Sequence, residues 1–148
     1  KQSLSKAILN DIQDEGTYIA YNVDFEKYAL KQLSFYDEAL KEKVVNINAR
    51  FKDLISIFKN YYYYLPAMNG SHSIKNVIPA LFPDEDENYD NLDLVRSGYD
   101  AMHSYLRLRN LKDKKEADDT IYALKKYCEM DTFSMVKIIR HLRNITTD

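Results

Sequence analysis

The chain has 148 residues, 45% of them hydrophobic and 30% charged, with a formal net charge of −2. That is enough apolar material for a core and points to one domain over residues 1–148. It supplies no global basic field, so any nucleic-acid contact must rest on a local patch. No apolar run approaches the ~20 residues of a membrane span, and one cysteine rules out an internal disulfide or a cysteine-based metal site; both fit a cytoplasmic protein. The first residue is Lys1, which suggests a piece of a longer protein.

Three Gly and three Pro are few breakers, so the chain is predicted to be dominated by long helices. Ser3 is placed to cap a first helix carrying Leu4, Ile8 and Ile12, with Gly16 to stop it. Thr17 to Tyr21, aromatic and β-branched, reads as a buried strand. Asn22 opens the turn into a second helix from Asp24 to about Leu33, on which Glu26 shares a face with Ala29, Leu30 and Leu33. A third helical region, Phe35 to Asn60, shows Leu40, Val44, Ile47, Phe51, Leu54 and Phe58 in steps of four and three. A break is expected near Val45 to Asn48, with Asn48 as a cap. Tyr61 to Leu65 reads as a second strand ended by Pro66. Asn69-Gly70 turns the chain into a short helix capped by Ser71 or Ser73 and bent or shortened by Pro79.

Asp84 to Asp90 is an acidic loop lacking the glycine and the terminal glutamate of a calcium loop. Beyond Gly98 a helix carries Ala101, Met102, Tyr105 and Leu108. The last helix, about Glu116 to Leu142, has its apolar stripe at Ile121, Leu124, Cys128, Met135, Ile138 and Leu142. Asp131 fills the missing step of that stripe, where a carboxylate must shed hydration unless a cation or donors compensate it. Tyr127 lies one turn earlier on nearly the same face. The Tyr-x-x-x-Asp spacing recurs at Tyr89 and Asp93, so spacing alone is not diagnostic. A competing reading makes Asp131 the N-cap of a separate helix from Thr132.

Order and wording add more. Ala20-Tyr21-Asn22-Val23-Asp24-Phe25-Glu26 resembles the second motif of the DEDD (DnaQ-like, RNase H-like) 3′–5′ exonuclease superfamily, and Tyr127-Cys128-Glu129-Met130-Asp131 resembles its tyrosine-type third motif. Asn69 to Leu81 resembles a segment of an uncharacterised bacterial branch of that superfamily, a domain of unknown function. The resemblance implies a helix-dominated α/β fold, the C-terminal part of an RNase H-like nuclease with one or two short strands, which a coarser scheme would class as mainly α. It further implies that Asp131 is a metal ligand, that Tyr127 orients or deprotonates the attacking water, that Glu26 binds a second metal, and that Asn22 positions the motif or substrate. The metal would be Mg²⁺ or Mn²⁺ and the partner DNA or RNA, both in the longer parent protein. The family's first motif, Asp-x-Glu, is absent before Thr17, so the fragment alone is expected to bind metal poorly and to be inactive. Lys125, Lys126, Lys137, Arg140 and Arg143 are candidate phosphate contacts. The alternative, from another class, is a non-catalytic helical interaction or scaffold domain.

Overall fold

The computed structural model describes residues 2–13, 15–85, 92 and 94–146. It is 69% helical, with seven α-helices and a two-stranded parallel sheet among the described residues, the helix-dominated α/β class expected. The chain forms two compact units, Lys1–Tyr63 and Tyr64–Asp148.

In the first unit, α1 (Gln2–Asp11) leads to β1 (Tyr18–Ala20), α2 (Asp24–Ser34), α3 (Glu38–Arg50), β2 (Phe51–Asp53) and α4 (Ile55–Lys59). β1 and β2 are parallel, with Tyr18, Ile19 and Ala20 opposite Phe51, Lys52 and Asp53. Two parallel strands need a long crossover, and here α2 and α3 make it. Ala20, Val23, Leu40, Val44, Ile47, Leu54 and Phe58 are the buried apolar residues of this unit. Arg50 ties the end of α3 to the approach to β1, donating to the carbonyls of Gln13 (2.8 Å) and Gly16 (3.1 Å) with its guanidinium 4.8 Å from the Tyr18 ring centroid.

Several local expectations are corrected. Ser3 lies inside α1 and not at its cap, and the helix turns inward on fully buried Ser5 while Leu4 is 52% exposed. The Ser5 hydroxyl donates to the Leu33 carbonyl (3.4 Å), and a small residue allows that approach. α3 runs unbroken through Val45 to Asn48, because burial of Val44 and Ile47 outweighs weak helix propensity. The Asp37 carboxylate caps α3 through the Ala39 and Leu40 amides. The long periodic region is interrupted at Phe51, where β2 begins. Tyr61 to Leu65 is not a strand: Tyr61 has φ 56°, a left-handed conformation incompatible with one.

In the second unit, a 3₁₀ turn (Pro66–Met68) precedes the Asn69-Gly70 turn, both of whose residues have positive φ, and then α5 (Ile74–Leu81), α6 (Gly98–Leu108) and α7 (Lys114–Thr146) follow. Ser73 is the N-cap of α5, and the Ser71 hydroxyl accepts from the Ser73 amide (3.2 Å) and donates to Asn76 Oδ1 (3.2 Å). α5 continues only two residues past Pro79. Met68, Val77, Ile78, Leu81, Val95 and Ile138 are its buried apolar residues. Of the acidic loop only Asp84 and Glu85 are described, and the Tyr89/Asp93 pair lies outside the described residues. α6 has no buried residue, and Met102 and Tyr105 are 54% and 62% exposed. No helix among the described residues is long and apolar enough to cross a membrane.

Candidate functional site

The motif Ala20 to Glu26 is built in the first unit. Asn22 has φ 69°, which asparagine tolerates better than other side chains, and it swings the chain from β1 into α2. The turn is clamped by Asp53 at the end of β2. Its Oδ1 accepts from the Asn22 amide (2.8 Å) and its Oδ2 from the Val23 amide (3.1 Å), while Oδ1 also accepts from Ile55 (3.2 Å) at the start of α4. Val23 caps α2 without any side-chain bond, so this carboxylate serves where a capping side chain would. Tyr21 stacks on Phe58, ring centroids 6.3 Å apart, and burial, then the Asp53 charge, push its phenol well above the usual range. Glu26 sits in the first turn of α2, half-buried, with Oε2 removed from solvent.

Asp53 was not singled out from sequence. Its partners lie 30 and 31 residues away, and nothing near it in the chain announces them.

Tyr127 and Asp131 are built in the second unit, on an α7 that runs without interruption through both. Asp131 is therefore inside a helix and does not cap a separate one. Of the apolar positions read in the sequence, Leu124, Met135, Ile138 and Leu142 are buried or half-buried, and Ile121 and Cys128 are not. Thr120, Leu124, Tyr127, Asp131, Ser134 and Ile138 are buried or half-buried, whereas Ile121 is 38% exposed and Cys128 is an exposed free thiol, not a core residue.

The one-turn spacing brings Tyr127 and Asp131 together as a hydrogen-bonded pair. Burial, then the Asp131 charge and that hydrogen bond, push the Tyr127 phenol up to about 12. It is thus protonated at neutral pH, with its one O–H donated to Asp131, and cannot take up a proton.

The start of α6 faces this pair. A Cβ added at Gly98 would lie 3.9 Å from the Tyr127 hydroxyl, and the Asp100 charge also acts on that phenol. Ser97 and Asp100 form a capping box: the Ser97 hydroxyl accepts from the Asp100 amide (3.1 Å) and donates to Asp100 Oδ2 (2.8 Å). That hydroxyl bond is the main cause holding the Asp100 carboxyl below its usual range, with Lys75 a smaller one. The Ser-x-x-Asp spacing was a readable signal for this neighbour.

The basic candidates divide. Lys137 has a side chain 10% exposed, pairs with Glu85, and lies 4.6 Å from the Phe82 and 5.8 Å from the Phe133 ring centroids. Lys126 pairs with Glu129 at 2.8 Å on the helix surface, and Lys125, Arg140 and Arg143 are exposed.

Residues 1–73 match the family described as Domain of unknown function (DUF2779). "Uncharacterized protein MG366" of Mycoplasma genitalium (strain ATCC 33530 / DSM 19775 / NCTC 10195 / G37) is 28% identical over 154 residues, which is 98% of this chain and 23% of that relative. The chain thus spans under a quarter of the relative's length. No solved structure matches it.

The carboxylates of Glu26 and Asp131 are hard oxygen donors of the kind Mg²⁺ and Mn²⁺ take. Among the described residues, however, no three His, Cys, Asp or Glu side chains are gathered closely enough to hold a metal ion. The set present does not by itself fit a metal centre.

Proposed function

We propose that this chain is part of a nuclease-like module acting on phosphodiester bonds in DNA or RNA, with carboxylates from elsewhere in a longer polypeptide completing a metal site that Asp131 enters. The observation that carries the reading is the Tyr127–Asp131 pair, a neutral phenol held against a half-buried carboxylate on the inward face of α7. Asp131 accepts from Tyr127, and its carboxylate oxygens are hard donors of the kind a divalent cation takes. Tyr127 donates its one hydroxyl proton to Asp131 and orients the attacking water by accepting a hydrogen bond from it. Asn22, held by Asp53, fixes where α2 begins and hence where Glu26 stands.

The deciding experiment uses the longer protein with labelled single-stranded DNA or RNA and Mn²⁺. Wild type should shorten the substrate from its 3′ end, and Asp131→Asn should not. Undiminished activity in that variant would remove this carboxylate from the mechanism.

A second reading, a non-catalytic interaction domain, is favoured by α6, which buries no residue and exposes Tyr99, Met102, Tyr105 and Leu106. It would be preferred if the longer protein neither cut nucleic acid nor bound Mn²⁺.

A further inference from the structure

Within the first unit a groove of about 420 Å³ runs between α2 and α3, in the ~300–1,000 Å³ range of ligand sites. Helical spacing makes it. Lys27 and Lys31 stand one turn apart on α2, Tyr28 and Phe35 two turns apart beside them, and Lys41 with Val44 and Val45 forms the α3 wall.

Every charged side chain lining the groove is a lysine, in a chain whose net charge is −2. Lys41 also meets Glu38 at 3.1 Å, a surface pair of the kind worth little and easily exchanged for a stronger anion. Tyr28 and Phe35 are 62% and 69% exposed, rings that find no cover among the described residues. Asn48, on the α3 wall, has its Oδ1 buried without a hydrogen-bond partner among the described residues.

Cations beside exposed aromatic rings are the composition of a single-strand platform, where phosphates meet lysines and bases stack on rings. A second copy of the chain fits poorly, because a two-fold contact would set three lysines against the same three.

We infer that the α2–α3 groove binds single-stranded nucleic acid, with Lys27, Lys31 and Lys41 on the phosphates and Tyr28 and Phe35 under the bases. This is the local basic patch that a chain without a global basic field requires. It deepens the nuclease reading, resting on it for the choice of nucleic acid, but uses none of its residues.

The test is fluorescence anisotropy of the 148-residue chain with fluorescein-labelled 15-nucleotide dT and rU, as a function of NaCl. Three phosphate contacts predict a slope of log K against log salt of about −2. The Lys27→Glu/Lys31→Glu/Lys41→Glu variant should lose the binding and the slope, and the triple Lys→Arg variant should keep both. Phe35→Ala should weaken binding on the order of tenfold. Circular dichroism checks that each variant is folded. Asp131→Asn should bind as wild type does, so loss of nuclease activity and loss of this groove are separate results. Wild-type affinity in the triple Glu variant, or no oligonucleotide binding by wild type, would overturn the inference. So would capture of labelled oligo-glutamate but not of either oligonucleotide, or lysine-dependent self-association in sedimentation velocity.

Discussion

Replacing Asp53 by alanine takes the acceptor from three backbone amides at once, those of Asn22, Val23 and Ile55. The Asn22 amide is exposed and recovers a water, but Val23 and Ile55 are part-buried and do so poorly. Charge-assisted bonds of this kind are worth ~1.5–3 kcal/mol each, so two of them, discounted for partial exposure, give a loss of about 3 kcal/mol. At ~2–4 °C per kcal/mol for a chain near this size, Tm falls by roughly 6–12 °C. Asp53→Asn keeps one acceptor oxygen but turns an amide donor toward the other N–H, so it should lie about midway. Thermal melts at 222 nm give the magnitude. Amide hydrogen exchange by NMR gives the location, since Asn22 and Val23 should lose protection ahead of the rest of the unit. An Asp53→Ala protein that melts within about 2 °C of wild type with those amides still protected would refute the clamp.

Four further outcomes follow from the geometry. The Tyr127 phenol is raised from 10 to about 12 on folding, so its stabilising contribution is complete below pH 10 and lost as pH rises toward 12; Tyr127→Phe should flatten that part of the pH–stability curve, measured by urea melts. Asp131→Asn removes the charge but keeps an acceptor, so ultraviolet titration should show one tyrosine ionising at lower pH while burial keeps it above 10. Gly98→Ala meets only ordinary van der Waals contact at 3.9 Å and carries no positive φ, so it should leave stability unchanged or raise it by about 0.5 kcal/mol; a loss above 1 kcal/mol in denaturant melts would contradict this. Ile138→Ala, at a fully buried position of α7, should cost ~2–5 kcal/mol in the same melts.

Much of the helical order was legible because few Gly and Pro break the apolar periods, and Leu40, Val44, Ile47, Leu54 and Phe58 are all buried as their spacing required. The same regularity hid β2. Ile47, Phe51, Leu54 and Phe58 continue a helical step across a three-residue strand too short to show alternation of its own. The tyrosine run misled in the opposite direction, since aromatic richness suggested a strand where Tyr61 turns left-handed and Tyr62 is 79% exposed.

At the candidate site, the Tyr127–Asp131 pair was readable because it is local to one helix. The polar members of the inward face were not, since Thr120 and Ser134 turn inward where an apolar pattern looks for isoleucine and cysteine. Asp53 belongs to a third kind: its role exists only after two distant strands have paired.

That dependence has a temporal side. The turn at Asn22 relies on an acceptor 31 residues further along, so the Asn22–Glu26 motif cannot be fixed when its own helix forms. Closing a loop of that length is an entropic step that precedes its reward. In a chain made from its N-terminus, α2 can be helical while its entry remains unset until Asp53 has been synthesised and β2 has docked beside β1. Glu26, in the first turn of that helix, is therefore held in its final place only once β2 has paired with β1, and a change that weakens strand pairing should loosen the Asn22–Glu26 turn before it unwinds the helix.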